Sequence, residues 1–144
     1  MSPRTVLVVE DDLLIRLILA EALQDDGYAV AEAANVLEAV AVVGRNPSFD
    51  ALVTDVDMPG HLTGLDLANM VASVSPRTQV IVVSGRDVSD DMRTGWVFMP
   101  KPYSLDQLLS FLDNAQGASQ PRQLRWREQS EHAIASLYDS SSRH

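Results

Sequence analysis

The stretch FDALVTDVDMPG, residues 49–60, decides the fold of this chain. Its apolar run, Ala51–Thr54, is typical of a buried strand and ends on a carboxylate, Asp55. A second carboxylate, Asp57, is followed by Met-Pro-Gly, which breaks the strand. In open α/β sheets, ligands bind in the crevice at the carboxyl ends of the strands. The stretch therefore predicts a strand that carries Asp55 to a ligand-binding edge.

Strand-like and helix-like segments alternate on both sides of this stretch. Apolar runs predict four further strands, at residues 5–9, 28–33, 79–83 and 96–99. Amphipathic segments predict intervening helices, capped at Asp12, at Asn35 (a capping box with Glu38) and at Ser104, with one more from Leu65 to before Pro76. The alternation predicts an α/β fold with one doubly wound, five-stranded parallel sheet in the flavodoxin-like order 2-1-3-4-5.

The chain is expected to divide into a domain, residues 1–116, and a linker with a tail, residues 117–144. Within the tail, residues 122–138 can be written as an extra C-terminal helix with one apolar face, formed by Trp126, Ser130, Ala133, Ile134 and Leu137. Such a helix would pack on its own domain or on a neighbour in a homodimer. Disorder is the alternative, because Gln, Ser and Arg are abundant there. The tail is too short for a helix-turn-helix domain.

Composition excludes several classes of function. The net charge of −9 argues against a nucleic-acid partner, because phosphate contacts require clustered Lys and Arg. The absence of cysteine excludes disulfides and thiolate metal sites. No apolar run reaches the roughly 18 residues of a membrane span, and the first residues do not resemble a signal peptide. We therefore expect a cytoplasmic protein without a membrane partner.

Reactive side chains follow four of the predicted strands. Glu10 and Asp11 follow the first strand, Asp55 ends the third, Ser84 follows the fourth, and Lys101, the only lysine, follows the fifth. These strand ends meet at one edge of a parallel sheet. Three neighbouring carboxylates repel one another and favour a hard divalent cation, for which Mg²⁺ is suited.

This set of side chains is suited to phosphoryl transfer. Asp55 can attack phosphorus as a carboxylate nucleophile and form an acyl phosphate, without needing a general base. The Lys101 ammonium and the Ser84 hydroxyl can each stabilise an oxygen of the phosphoryl group.

Four motifs carry a resemblance to a known family: VLVVEDD at 6–12, TDVDMPG at 54–60, VVSGR at 82–86 and FMPKPY at 98–103. Over residues 4–115 the chain resembles the receiver domain of two-component response regulators. Because the tail is too short for a helix-turn-helix domain, we expect a stand-alone receiver without a DNA-binding output domain. The resemblance implies that Asp55 is the phosphoacceptor. It also implies a phosphoryl donor that is a sensor histidine kinase or histidine phosphotransferase, and an unknown downstream protein as the target.

The resemblance also assigns roles to the neighbouring residues. It implies that Mg²⁺ (or Mn²⁺) is bound by Glu10, Asp11 and Asp55 and by the backbone carbonyl of Asp57. Ser84 would be the switch hydroxyl, Lys101 the phosphate-binding lysine, and Phe98 the switch aromatic residue. A cis Lys101–Pro102 peptide bond is implied as well.

Two departures from the family pattern affect loops. Four residues separate Pro59 from Gly64, one more than the family usually has. Ser84 and Lys101 are only 17 positions apart, which is fewer than usual. We therefore expect the helix between the fourth and fifth strands to be very short or replaced by a loop, which would alter the family's usual output surface.

Asp57 and Arg86 each lie two residues beyond a site residue, Asp55 and Ser84. We hypothesise that they meet over the site as a gate and limit the access of water. Two other functions remain as alternatives. Because Asp55-Val56-Asp57 matches a D-x-D pattern, the chain could be an aspartyl-phosphate-type phosphatase; it could also be a degenerate receiver that acts as a scaffold.

Overall fold

A five-stranded parallel sheet organises the computed structural model, which describes residues 3–116 together with Leu137. The strands are β1 (Thr5–Val9), β2 (Ala29–Ala33), β3 (Ala51–Asp55), β4 (Gln79–Ser84) and β5 (Val97–Pro100). The helices of this part of the chain are α1 (Leu13–Asp25), α2 (Val36–Arg45), α3 (Gly64–Val74) and α4 (Leu105–Gln116).

The order of the strands is β2-β1-β3-β4-β5, which confirms the predicted fold class. Every neighbouring pair is parallel, so the carboxyl ends of all five strands lie at one edge. The register brings those ends level, because Asp55 pairs with Val83 and Ser84 pairs with Pro100. The residues that follow the strands are therefore neighbours in space.

Helices cover both faces of the sheet and create two hydrophobic cores. One core joins α1 and α4 to the face that carries Val6 and Val8. The other core joins α2 and α3 to the face that carries Leu7 and Val9. Because alternate residues of β1 point into opposite cores, that strand is a continuous apolar run.

Local hydrogen bonds define the helix starts. The Asp12 side chain accepts a hydrogen bond from the Ile15 N–H (3.0 Å), as predicted for an N-cap. Asn35 caps α2 by accepting a hydrogen bond from the Glu38 N–H (2.8 Å). The predicted capping box also required the Glu38 carboxylate to accept from the Asn35 N–H, and that part of the prediction is wrong. The Glu38 carboxylate accepts from the Ala34 N–H (3.0 Å), one residue before the cap.

Four strand boundaries differ by one residue from the prediction, including the end of β5, which extends to Pro100 because Pro100 pairs with Ser84. Tyr28 and Trp96 precede their strands because each N–H donates to a turn carbonyl, of Leu23 and Arg93 respectively. Ser84 belongs to β4, because its carbonyl accepts a hydrogen bond from the Lys101 N–H (2.8 Å).

The segment between β4 and β5 contains a single 3₁₀ turn, Ser89–Asp91, where the helix was expected to be very short or absent. Val88 anchors this segment in the second core, and Met92 and Trp96 pack against the same core. The predicted linker and helix at 122–138 lie outside the described residues apart from Leu137, which is helical. Within the described part of the chain, no helix has the length and apolar character needed to cross a membrane.

Candidate active site

Asp55 lies at the end of β3 with only 5% of its surface exposed. The Lys101 ammonium donates a hydrogen bond to Asp55 Oδ2 (3.0 Å) and lies 3.8 Å from Glu10 Oε1. The peptide bond that follows Lys101 is cis, as the resemblance implied. The buried carboxylate and the cation therefore share one small site at the edge of the sheet.

Glu10, Asp11 and Asp55 form an acidic cluster in which one carboxylate oxygen from each residue lies within 4.8 Å of the other two. Glu10 and Asp55 are buried, and Asp11 is exposed. Three hard oxygen donors at this spacing fit a divalent cation that keeps some of its waters on the solvent side. The predicted metal-ligating carboxylates are thus brought together.

Burial makes this cluster electrostatically costly without a cation. Desolvation, followed by the charge of Asp55, raises the pKa of Glu10 to about 8, although Lys101 acts in the opposite direction. Desolvation also raises the pKa of Asp55, again opposed by Lys101. The backbone of Asp57 also favours the charged form of the Asp55 carboxyl and lowers its pKa, so the Asp57 backbone lies near the cluster.

Arg16 of α1 holds the backbone of the acidic pair in place. Its Nη1 donates to the Glu10 carbonyl (2.8 Å), and its Nε donates to Glu32 Oε1 on β2 (3.2 Å). The Asp12 N–H donates to Glu10 Oε2 (3.0 Å) and orients the side chain. Sequence reasoning missed Arg16, because its contacts depend on how α1 packs beside β2.

Ser84 is buried at the end of β4, one residue beyond the partner of Asp55 in the register. Its Oγ accepts a hydrogen bond from the Arg86 N–H (3.2 Å). Phe98, the predicted switch aromatic residue, is half-buried on β5 and packs against the second core.

The two predicted gate residues form an ion pair. Arg86 Nε lies 3.1 Å from Asp57 Oδ2, and Arg86 Nη2 donates to Asp57 Oδ1 (3.1 Å), so the pairing is bidentate. Both side chains remain more than half exposed, at 55% for Arg86 and 57% for Asp57. The pair therefore bridges the loops that follow β3 and β4, on the solvent side.

Gly64 begins α3 directly against the end of β3. A methyl group on Gly64 would overlap the backbone carbonyl of Asp55 and crowd Thr54 Oγ1. The Gly64 N–H donates to the Val56 carbonyl (2.9 Å), which ties the helix start to the site loop. In the sequence analysis Gly64 served only to measure the length of the loop after Pro59. The close contact between Gly64 and the Asp55 carbonyl could not be predicted from the sequence.

A family model described as the response regulator receiver domain matches residues 6–113. This chain belongs to the response regulator receiver family. Receivers are components of two-component systems, in which they act as phosphoacceptors. The family binds Mg²⁺ at an acidic pocket, and in this receiver Glu10, Asp11 and Asp55 form such a cluster.

Similar proteins include longer regulators and kinases. The chain is 35% identical over 118 residues to the transcriptional regulatory protein PdtaR of Mycobacterium tuberculosis, covering 78% of this chain and 57% of PdtaR. It is 38% identical over 112 residues to the sensor kinase CckA of Brucella abortus, covering 72% of this chain and 12% of CckA. The chain thus spans well under two thirds of the length of these relatives.

A solved structure of the response regulator TrrA from Thermotoga maritima, in complex with Mg²⁺-BeF, superposes with a TM-score of 0.70 at 26% identity. The match covers 78% of this chain and 98% of TrrA. The receiver fold is therefore shared over more than three quarters of this chain.

Proposed function

We propose that this receiver is a phosphorylation switch in which Asp55 accepts a phosphoryl group from phosphohistidine. The observation that carries the proposal is the pairing of a buried Asp55 carboxylate with the Lys101 ammonium at 3.0 Å, beside Glu10 and Asp11. A buried nucleophile with one cation and two further acids matches the needs of phosphoryl transfer, namely positioning and charge neutralisation.

The transfer conserves atoms and charge without a general base. An Asp55 carboxylate oxygen forms a bond to phosphorus while the P–N bond of the donor phosphohistidine breaks. The imidazole leaves with the electron pair of that bond and takes up a proton. Lys101 balances negative charge on one phosphoryl oxygen, and Ser84 can donate its hydroxyl hydrogen to another.

Glu10, Asp11, Asp55 and the backbone carbonyl of Asp57 are the groups that would hold Mg²⁺ or Mn²⁺. The bound cation supplies positive charge that offsets the charge of the phosphoryl oxygens. The donor set supports this assignment, because it consists of oxygens and is open to solvent at Asp11.

Ser84 is proposed to report the phosphoryl group to the rest of the domain. Its Oγ accepts a hydrogen bond from the Arg86 N–H, and a rotation of the side chain that lets the hydroxyl donate to a phosphoryl oxygen would move Oγ relative to that N–H. Phe98 lies on the next strand and is proposed to follow Ser84, biasing an existing equilibrium between conformations. The signal then leaves through contact with a downstream protein.

The Asp57–Arg86 pair is proposed to slow the loss of phosphate. Its bidentate geometry links the two loops that follow β3 and β4. We propose that the linked loops limit the access of attacking water to Asp55. An exposed pair contributes little to stability, so its effect should be visible in the hydrolysis rate rather than in the free energy of unfolding.

The proposed donor is a sensor histidine kinase or a histidine phosphotransferase. Similarity to the receiver of a hybrid histidine kinase, CckA (31% identical, TM-score 0.68), supports a donor of this chemistry. Histidine kinases use ATP, so the proposal places this exchange in the cytoplasm. The stand-alone role and homodimer formation remain predictions.

The direct test is incubation with Mg²⁺ and acetyl phosphate, followed by intact-protein mass measurement. The proposal predicts one phosphoryl adduct per chain, which does not form when Mg²⁺ is chelated before acetyl phosphate is added and is absent from Asp55→Asn. Rapid turnover of phosphomonoesters would instead identify a phosphatase. Absence of any adduct, with the protein folded, would leave only the scaffold role.

A further inference from the structure

Thr54 places a fully buried hydroxyl directly before Asp55 in β3. The residues two positions before and after it, Leu52 and Val56, belong to the second core, so Thr54 points to the same face of the sheet. Valine has the same branched shape and would need no polar partner at such a position. A buried hydroxyl, in contrast, is costly unless it is hydrogen-bonded, so the Thr54 hydroxyl needs a partner inside the core.

That partner is the backbone carbonyl of Asp55. Thr54 Oγ1 donates a hydrogen bond to this carbonyl oxygen (2.9 Å), at the place where the start of α3 meets the strand. A methyl group on Gly64 would overlap the same carbonyl and would lie 2.8 Å from Thr54 Oγ1. The start of α3 therefore covers the bond between Thr54 and Asp55.

Three hydrogen bonds hold the backbone where it leaves β3. The first is the bond from Thr54 to the Asp55 carbonyl. In addition, the Val56 N–H donates to the Val83 carbonyl (3.0 Å), and the Val56 carbonyl accepts from the Gly64 N–H (2.9 Å). Of these three bonds, the first is the one made by a side chain, so a substitution can remove it without altering the backbone.

We propose that Thr54 is a positioning residue for Asp55. Without the hydroxyl, the buried Asp55 carbonyl loses a donor, and its peptide group would rotate toward another one. Such a rotation would move Asp55 relative to the Lys101 ammonium, and it would move the backbone of Asp57, which lies near the acidic cluster. The inference rests on the proposed function for its effect on phosphoryl transfer, and on the acidic cluster alone for its effect on Mg²⁺ binding.

Thr54→Val tests the proposal, because it removes the hydroxyl and keeps the branched shape, whereas Thr54→Ser keeps the hydroxyl. The matched control is Thr78→Val. Thr78 is also buried, and its Oγ1 donates to the Phe49 carbonyl (2.6 Å), but it lies just before β4, at the opposite edge of the sheet. Urea unfolding checks that each variant is folded under the conditions of the assays.

Two quantities are measured for each protein: the rate of adduct formation from acetyl phosphate at saturating Mg²⁺, and the Mg²⁺ affinity by calorimetry. We expect Thr54→Val to lower both roughly tenfold, because groups that orient metal ligands and reacting side chains affect metal affinity and rate. Thr54→Ser and Thr78→Val should behave as the wild type does.

Wild-type values of both quantities in Thr54→Val would overturn the proposal. Equal losses in Thr54→Val and Thr54→Ser, or in Thr54→Val and Thr78→Val, would also overturn it, because the effect would then follow from packing or from general stability. A wild type that binds Mg²⁺ but forms no adduct would refute the proposed function alone, and the Mg²⁺ affinities would still decide the role of Thr54. A wild type that neither binds Mg²⁺ nor forms an adduct would overturn both.

Discussion

Glu10→Gln should stabilise the metal-free protein at neutral pH. Burial and the Asp55 charge raise the pKa of Glu10 from 4.5 to about 8 in the folded state. Between these values the folded protein holds a proton that the unfolded chain has released, so stability must fall as pH rises. Glutamine has nearly the same shape, does not titrate, and can still accept from the Asp12 N–H.

The magnitude follows from the same values. A full proton difference costs about 1.4 kcal/mol per pH unit, so the wild type should lose on the order of 2–3 kcal/mol between about pH 4.5 and 7 from this group. The variant lacks this loss. The difference between the two proteins should be smallest near pH 4.5, where Glu10 is protonated in the folded state and about half protonated in the unfolded chain.

The assay is urea unfolding in the presence of a chelator, at several pH values from about 4.5 to 8. Added Mg²⁺ should then stabilise the wild type more than the variant, because only the wild type has all three carboxylates. Equal pH slopes for the two proteins would refute the reasoning. So would equal stabilisation by Mg²⁺.

Three further substitutions test individual contacts. Gly64→Ala should lower the free energy of unfolding by about 1–3 kcal/mol, because the added methyl group would overlap the Asp55 carbonyl. Gly44 has open space around it, so Gly44→Ala should not destabilise the protein, and urea unfolding compares the two variants. Arg86→Ala should speed dephosphorylation and leave the free energy of unfolding nearly unchanged, with the exposed Arg77→Ala as control; an unchanged dephosphorylation rate contradicts the gate. Arg16→Ala should weaken Mg²⁺ binding roughly tenfold, because Arg16 holds the backbone of Glu10 in place, and calorimetry measures the affinity. An unaltered affinity would show that Arg16 does not position the acidic pair.

The sheet and the central pairing were predictable because they depend on short-range signals. Four of the five strands end at, or are directly followed by, a charged or hydroxyl residue, and a parallel sheet aligns the strand ends whatever the loops do. That alignment alone brings Asp55 and Lys101 together. The small number of residues between Ser84 and Lys101 likewise predicted the lack of a full helix there.

Contacts between distant elements were not predictable. The Arg16–Glu32 pair depends on how α1 lies beside β2, and the Gly64 contact depends on the path of a loop.

The capping box of α3 did have a local signal, Thr63 followed three residues later by Asp66, but the residues before it were interpreted only as a loop. The Glu38 carboxylate accepts a hydrogen bond from the Ala34 N–H instead of the Asn35 N–H. The two N–H groups are adjacent in the chain, and the Glu38 side chain is flexible enough to reach either of them.

The central claim is that the phosphoryl group resides on Asp55. Borohydride reduces an aspartyl phosphate to homoserine, so treatment of the acetyl-phosphate product followed by peptide mass mapping locates the modified residue. We predict homoserine at position 55 in the peptide that contains TDVDMPG, and unchanged aspartate at Asp57 and Asp11. Homoserine at either of those two positions, or none in a protein that carries the adduct, would contradict the account.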